Sequence, residues 1–222
     1  KYKLNKQTEK IKLPVLCLLT DSVSFRNTSK LKRNITEAVE GGVNFLIIRD
    51  TDHDLTFLKG FVNDLKKNLP TSIPISINVG LSKTIPQSIK SIHLPEKSQL
   101  HENDYEAIVG RSVHSIESAL LAEKRGADYL IAGTIYPTNT HPNKLPEGLS
   151  LIKSITSKVR IPVFAIGGIN SDNIIPVLES GASGISVISS ILHSENPKLS
   201  AKNISNILKE NYDLLINGKK FV

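Results

Sequence analysis

The feature that most constrains this chain is a repeated alternation of two patterns. Short apolar, β-branched runs recur from end to end, each followed by a polar or glycine-bearing turn and, usually, a segment with helical spacing of its apolar residues. The runs lie at 14–20, 44–49, 74–79, 91–94, 107–113, 129–135, 162–166 and 184–191. Helical patterns fill about 28–40, 54–68, 115–125, 148–158, 171–179 and 198–215, with only short helical pieces after the third and fourth runs. Gly41-Gly42, Gly126 and Gly181 follow helical segments, where a helix C-terminus favours positive φ. A run such as Tyr129-Leu130-Ile131-Ala132 is apolar on both faces, as expected of parallel strands covered by helices. Eight such units in 222 residues close most economically as an α/β fold, a single-domain TIM (β/α)8 barrel over 13–222 behind a basic extension at 1–12. A doubly wound open sheet is the alternative. The first run lacks the Gly-x-Gly-x-x-Gly turn of that fold's dinucleotide-binding form.

Composition narrows the function classes. No apolar segment reaches the roughly 18 to 20 residues of a membrane helix. The stretch Lys1 to Lys12 is basic and lacks the apolar core of a signal peptide, so a cytoplasmic location without membrane partners is expected. The chain contains no methionine, so Lys1 is not expected to be the translated start. The single cysteine, Cys17, sits within Val15-Leu16-Cys17-Leu18-Leu19 and reads as a buried thiol in a reducing compartment. A net charge of +7 admits nucleic acid, an acidic surface or a phosphorylated small molecule. The lysines are scattered along amphipathic segments with no aromatic-interleaved basic stretch, which argues against nucleic acid.

In a barrel of this kind the chemistry sits at the C-terminal ends of the strands. That filter selects Thr20-Asp21, Arg49-Asp50, Asn78, His93, Ser112, His114, Thr134 to His141, Gly167-Gly168 and Ser189-Ser190. His53, His101 and His193 fall on surface turns or helix starts. Gly167-Gly168 after the seventh strand, with Ile185-Ser186-Val187-Ile188-Ser189-Ser190 forming or closing the eighth, suits a phosphate cradle, although glycine pairs also serve tight turns. Ser112 and His114 share one side of the fifth strand; a histidine there can transfer protons near neutral pH, or simply cap a helix. His93 reads as a buried, hydrogen-bonded structural residue, and Arg49 as a clamp for an anion or carboxylate. Metal ligands are scarce: Glu96 is the only acid at the ends of the third and fourth strands, and no histidine or cysteine pair suggests zinc.

Taken in order, Leu19-Thr20-Asp21, Gly41-Gly42-Val43, Ile48-Arg49, Asn78, His93-Leu94, Gly110-Arg111-Ser112-Val113-His114, Ala127-Asp128-Tyr129, Pro137-Thr138, Ile166-Gly167-Gly168-Ile169 and Gly181-Ala182 with Ser189 resemble the thiamine phosphate synthase and TenI superfamily over about Val15 to Leu192. The synthase pattern implies Mg²⁺-binding acids where this chain has Val79 and Ser98, and a pyrophosphate-binding lysine where it has His141, with Lys144 nearby. The pentapeptide ending at His114 is closer to TenI-type thiazole tautomerases, which aromatise a thiazole carboxylate phosphate without a metal or other cofactor. That resemblance implies His114 as the catalytic acid and base. It implies Arg49, Asn78, Ser112, Thr138, Thr140, Gly167, Gly168, Ile188 and Ser189 as the substrate-binding set for a thiazole phosphate. A degenerate Mg²⁺-dependent thiamine phosphate synthase and a non-catalytic thiazole-phosphate-binding regulator are the alternatives, and a homo-oligomer is compatible with each.

Overall fold

Eight parallel strands pair in chain order and close on themselves: β1 (Val15–Leu19), β2 (Phe45–Ile48), β3 (Ile75–Asn78), β4 (Ser91–Leu94), β5 (Ile108–Val113), β6 (Tyr129–Gly133), β7 (Val163–Ile166) and β8 (Gly184–Val187), with β8 returning to β1. The computed structural model describes residues 11–82, 84–86, 88–102, 105–138 and 145–218, with side chains as far as 215. The helices are α1 (Ser22–Phe25), α2 (Thr28–Glu40), α3 (Leu55–Leu65), α4 (Ile116–Lys124), α5 (Gly148–Thr156), α6 (Ile174–Glu179), α7 (Ser189–Leu192) and α8 (Pro197–Gly218). The TIM barrel expected from the alternation is the architecture found.

Strand parity divides the core in two. Val15, Cys17, Leu19, Phe45, Ile47, Ile108, Tyr129, Ile131 and Phe164 form one buried cluster, which fills the barrel. Their neighbours on the same strands, such as Leu16, Leu18, Leu46, Ile48, Val109 and Leu130, belong to the larger cluster beneath the helices. Inside, Tyr129 stacks on Phe164 with ring centroids 5.2 Å apart, and Phe45 meets both edge-on. Complete burial of a large apolar side chain stabilises by about 1.5–3 kcal/mol, and this lumen is filled by such side chains as a packed core. Gly110 makes room for it, because a Cβ there would lie 2.1 Å from Tyr129 Cζ. Cys17 is fully buried in the same lumen, and that burial pushes its thiol up to about 12.

Helix ends follow local chemistry. Asp21, Asn27, Asp54 and Ser115 cap α1 to α4 through side-chain oxygens that accept backbone N–H groups. Gly42, Gly126 and Gly181 take the positive φ expected after helical segments, whereas Gly41 stays right-handed. Gly41 is required for a different reason: a Cβ there would strike the Lys198 carbonyl at 2.3 Å where α8 packs on α2.

The structure differs from the sequence expectation at two places that shape the site. The eighth strand stops at Val187, and Ser189–Leu192 is a short helix rather than the end of a strand extending to 191. The connections after β3 and β4 contain no α-helix among the described residues, so the cavity is walled there by loop. Of the basic stretch Lys1 to Lys12, residues 1–10 lie outside the described residues, while Ile11 packs into the inner cluster. No helix among the described residues is long and apolar enough to cross a membrane.

Candidate active site

A cavity of about 1370 Å³ opens at the C-terminal ends of the strands. Its floor continues the inward parity of the core, through Leu19, His93, Ser112, Ile131, Ile166 and Ser186, and its rim is built by the loops that follow. Arg49, Asn78, Ser112, His114, Thr138, Gly167, Gly168, Ile188 and Ser189 all line it. One binding residue expected from the resemblance, Thr140, lies outside the described residues, as do His141 and Lys144.

His114 stands on the β5–α4 connection. Its Nδ1 is 2.8 Å from Glu96 Oε2, and its backbone N–H donates to Glu96 Oε1 at 3.0 Å. Burial by itself raises the Glu96 carboxyl, but hydrogen bonds from Ser118 and His114, with the charge of His114, outweigh it and hold the group below its usual range. Glu96 is therefore a carboxylate at neutral pH and can only accept.

Below this pair lies a polar chain. Tyr129 donates its hydroxyl hydrogen to Ser76, so its oxygen accepts from Nδ1 of His93 at 3.2 Å. Nε2 of His93 then accepts from the Ser112 hydroxyl at 2.8 Å. Burial, reinforced by the nearby Arg111 charge, pushes the His93 imidazole down to about 3. His93 thus stays neutral at physiological pH and is a support for Ser112, as its sequence context suggested, rather than a proton shuttle.

The opposite rim carries Arg49, which follows β2 with its backbone N–H donating to Thr20 Oγ1 at 2.8 Å. Next to it Asp50 bonds His53, whose ring stacks on Phe57 at 4.0 Å between centroids. Burial raises the Asp50 carboxyl, while hydrogen bonds from Ser22, His53 and the Asp52 backbone together bring it below its usual range. His53, read from sequence as a surface turn, is thereby part of the cavity wall.

On the β7 and β8 side, the carbonyls of Ile166, Gly167 and Gly168 accept from the Ile135 and Tyr136 N–H groups and from Asn173 Nδ2, at 3.0, 3.0 and 2.9 Å. A trans peptide points its N–H opposite its C=O, so the N–H groups of Gly167, Gly168 and Ile169 face away from those donors. The first N–H groups of α7, at Ser189 and Ser190, have no intrahelical acceptor. Ser190 adds a buried side-chain oxygen without a hydrogen-bond partner on the cavity wall. Gly167 and Gly168 take φ of +107° and +63°, and a Cβ on Gly168 would lie 2.4 Å from the Pro137 carbonyl oxygen. A larger residue at 168 would therefore break the loop instead of merely crowding a ligand.

The Mg²⁺ chemistry of the synthase pattern finds no donor set among the described residues. Val79 is 2% exposed within the apolar core, and the Ser98 carbonyl is engaged by Arg111. The carboxylates that do line the cavity are each committed: Asp50 to His53, Asp54 to the N-cap of α3, and Glu96 to His114. Among the described residues no three His, Cys, Asp or Glu side chains gather to hold a metal ion. The described residues do not fit the metal.

Sequence reasoning selected His114 but missed what holds it. Arg111, from the same pentapeptide, points away from the lumen and pairs with buried Glu102, while its remaining N–H groups donate to the carbonyls of Pro95, Glu96, Ser98 and Leu100. The available signal was parity: Gly110, Ser112 and His114 share the inner side, so Arg111 had to be outside and needed a partner.

Comparison with known proteins agrees with this architecture. The family model described as thiamine monophosphate synthase matches residues 16–191. A thiamine-phosphate synthase of Clostridium acetobutylicum is 35% identical over 204 residues, covering 88% of this chain and 95% of the relative. One from Clostridium botulinum is 34% identical over 197 residues, covering 85% and 95%. The solved thiamine phosphate pyrophosphorylase of Pyrococcus furiosus superposes with a TM-score of 0.74 at 27% identity, over 89% of this chain and 97% of that one. With an eight-stranded closed barrel and a family match over most of its length, this chain belongs to the thiamine monophosphate synthase and TenI superfamily.

Proposed function

We propose that the protein is a metal-independent tautomerase that aromatises a thiazole carboxylate phosphate. The observation that carries this reading is His114, a cavity histidine whose ring is gripped by Glu96, at the rim of a site whose other described carboxylates, Asp50 and Asp54, have hydrogen-bond partners of their own. The phosphate binds the backbone N–H groups of Gly167, Gly168 and Ser189, with Ile188 packing against the ring and Thr138 on the rim. Arg49 pairs with the substrate carboxylate, and Asn78 and Ser112 orient the ring.

In this mechanism the neutral imidazole of His114 removes the proton from ring C2. The electron pair moves through the ring to the exocyclic alkene carbon, which takes the proton back from the imidazolium. One C–H bond breaks and one forms, with no net redox change. A neutral imidazole can accept a proton and return it, and such catalysis contributes about 10²- to 10⁴-fold.

The second reading is a thiamine phosphate synthase, favoured by the names of relatives at 34–35% identity. Assaying the purified protein for Mg²⁺-stimulated joining of the pyrimidine pyrophosphate to the thiazole phosphate separates the two. The tautomerase reading expects no such product; a robust Mg²⁺-dependent rate would establish the synthase.

A further inference from the structure

The pair Glu96–His114 has a directional consequence. A carboxylate has no proton to donate, so the 2.8 Å contact requires Nδ1 of His114 to be the donor. A neutral imidazole carries one N–H, so Nε2, on the far side of the ring from Glu96, is left as the acceptor. The same carboxylate binds the backbone N–H of His114 through its other oxygen, which leaves it little freedom to rotate.

Glu96 itself sits on an irregular loop with no helix to stiffen it. Arg111 supplies the stiffness. Its Nη1 donates to the carbonyls of Pro95, Glu96 and Ser98 at 3.3, 3.2 and 3.1 Å, and its Nη2 to Leu100 at 2.6 Å, while Nε pairs with Glu102. Arg111 is 4% exposed and Glu102 1% exposed, so the clamp works away from bulk solvent. A planar fork with fixed donors suits this task in a way a lysine would not.

We infer that Glu96 is a positioning residue that fixes His114 as the Nδ1–H tautomer and so presents Nε2 as the base, with Arg111 holding the loop that carries it. The kinetic part rests on the proton-transfer role proposed for His114; the tautomer does not. Free imidazole side chains favour the opposite, Nε2–H form, so removing the acceptor releases a preference that can be observed.

The test is ¹⁵N NMR of the histidine side chains in the full chain at pH 8, with His114→Gln used to assign the signal, comparing wild type with Glu96→Ala. Glu96 is partly exposed, so the variant is expected to fold. Wild type should show protonated Nδ1 and unprotonated Nε2 at His114, and Glu96→Ala should invert or mix the two. In the tautomer assay the variant should lose about 10- to 100-fold in kcat with KM within about 3-fold. An unchanged tautomer in Glu96→Ala overturns the proposal whatever the activity. An inverted tautomer alongside a wild type inactive on the thiazole substrate upholds the positioning and refutes the proposed reaction.

Discussion

Nε2 of His93 lies 2.8 Å from Oγ of Ser112, in a chain that starts at Tyr129 and ends at the cavity floor. Because Tyr129 gives its only hydroxyl hydrogen to Ser76, every proton further along is assigned, and Ser112 gives its own to His93. Ser112 therefore meets a ligand with lone pairs. It suits a donor on the substrate and repels a carboxylate or phosphate oxygen. That separates the proposed ring-binding part of the cavity from the parts at Arg49 and the β7–β8 loops proposed to bind anions.

The buried His93 makes stability depend on pH. Its folded-state value, about 3, lies below the unfolded value near 6.5, so between those limits the unfolded chain binds a proton that the folded chain refuses. The stability is fully present above pH 6.5 and drains away as pH falls toward 3. Urea denaturation should show wild type losing about 1–2 kcal/mol more than His93→Gln between pH 6.5 and pH 5. Parallel losses in the two proteins would mean that His93 takes up a proton in the fold.

Ser189 begins α7 on the cavity wall. Placing a carboxylate beside a phosphate there costs enough Coulomb energy to weaken binding by about 10- to 100-fold. In Ser189→Asp, KM for the phosphorylated substrate and Ki for inorganic phosphate should rise together by that factor, with kcat within about 3-fold of wild type. If neither moves, the phosphate is bound elsewhere.

Gly168 combines φ of +63° with a Cβ direction aimed at the Pro137 carbonyl. Gly168→Ala should cost about 1–3 kcal/mol in thermal or urea unfolding, because the strained backbone and the clash add. A variant as stable as wild type would show that the loop turns in some other way.

The barrel was legible because its signal is periodic. Each of the eight runs contains its strand, and the pairing of inner and outer residues follows from side-chain alternation, as Cys17 against Leu18 illustrates. The β8–α7 boundary was not legible. Ile185-Ser186-Val187-Ile188 keeps the β-branched, apolar character of a strand to its end, and the turn into α7 shows only in the backbone of Ile188, at φ −122° and ψ −85°. The residues lining the cavity were visible as strand ends, since topology sends those ends to one face. Glu96 was visible only as a stray acid. Its partnership with His114 depends on a loop held through backbone carbonyls, and carbonyls leave no trace in residue identity. His53 was read as a surface residue because nothing in sequence shows that the β2–α3 turn folds back over Asp50.

In the proposed mechanism His114 moves a proton between two carbons without a metal. Proton NMR of the thiazole carboxylate tautomer, mixed with the wild-type protein and with His114→Gln in buffer containing EDTA, tests it directly. The expected result is rapid loss of the exocyclic alkene signal with wild type, unaffected by EDTA, and a kcat lower by about 10²- to 10⁴-fold in His114→Gln with KM within a few-fold. Turnover by His114→Gln within a few-fold of wild type, or a wild-type rate that EDTA abolishes and Mg²⁺ restores, would rule this mechanism out.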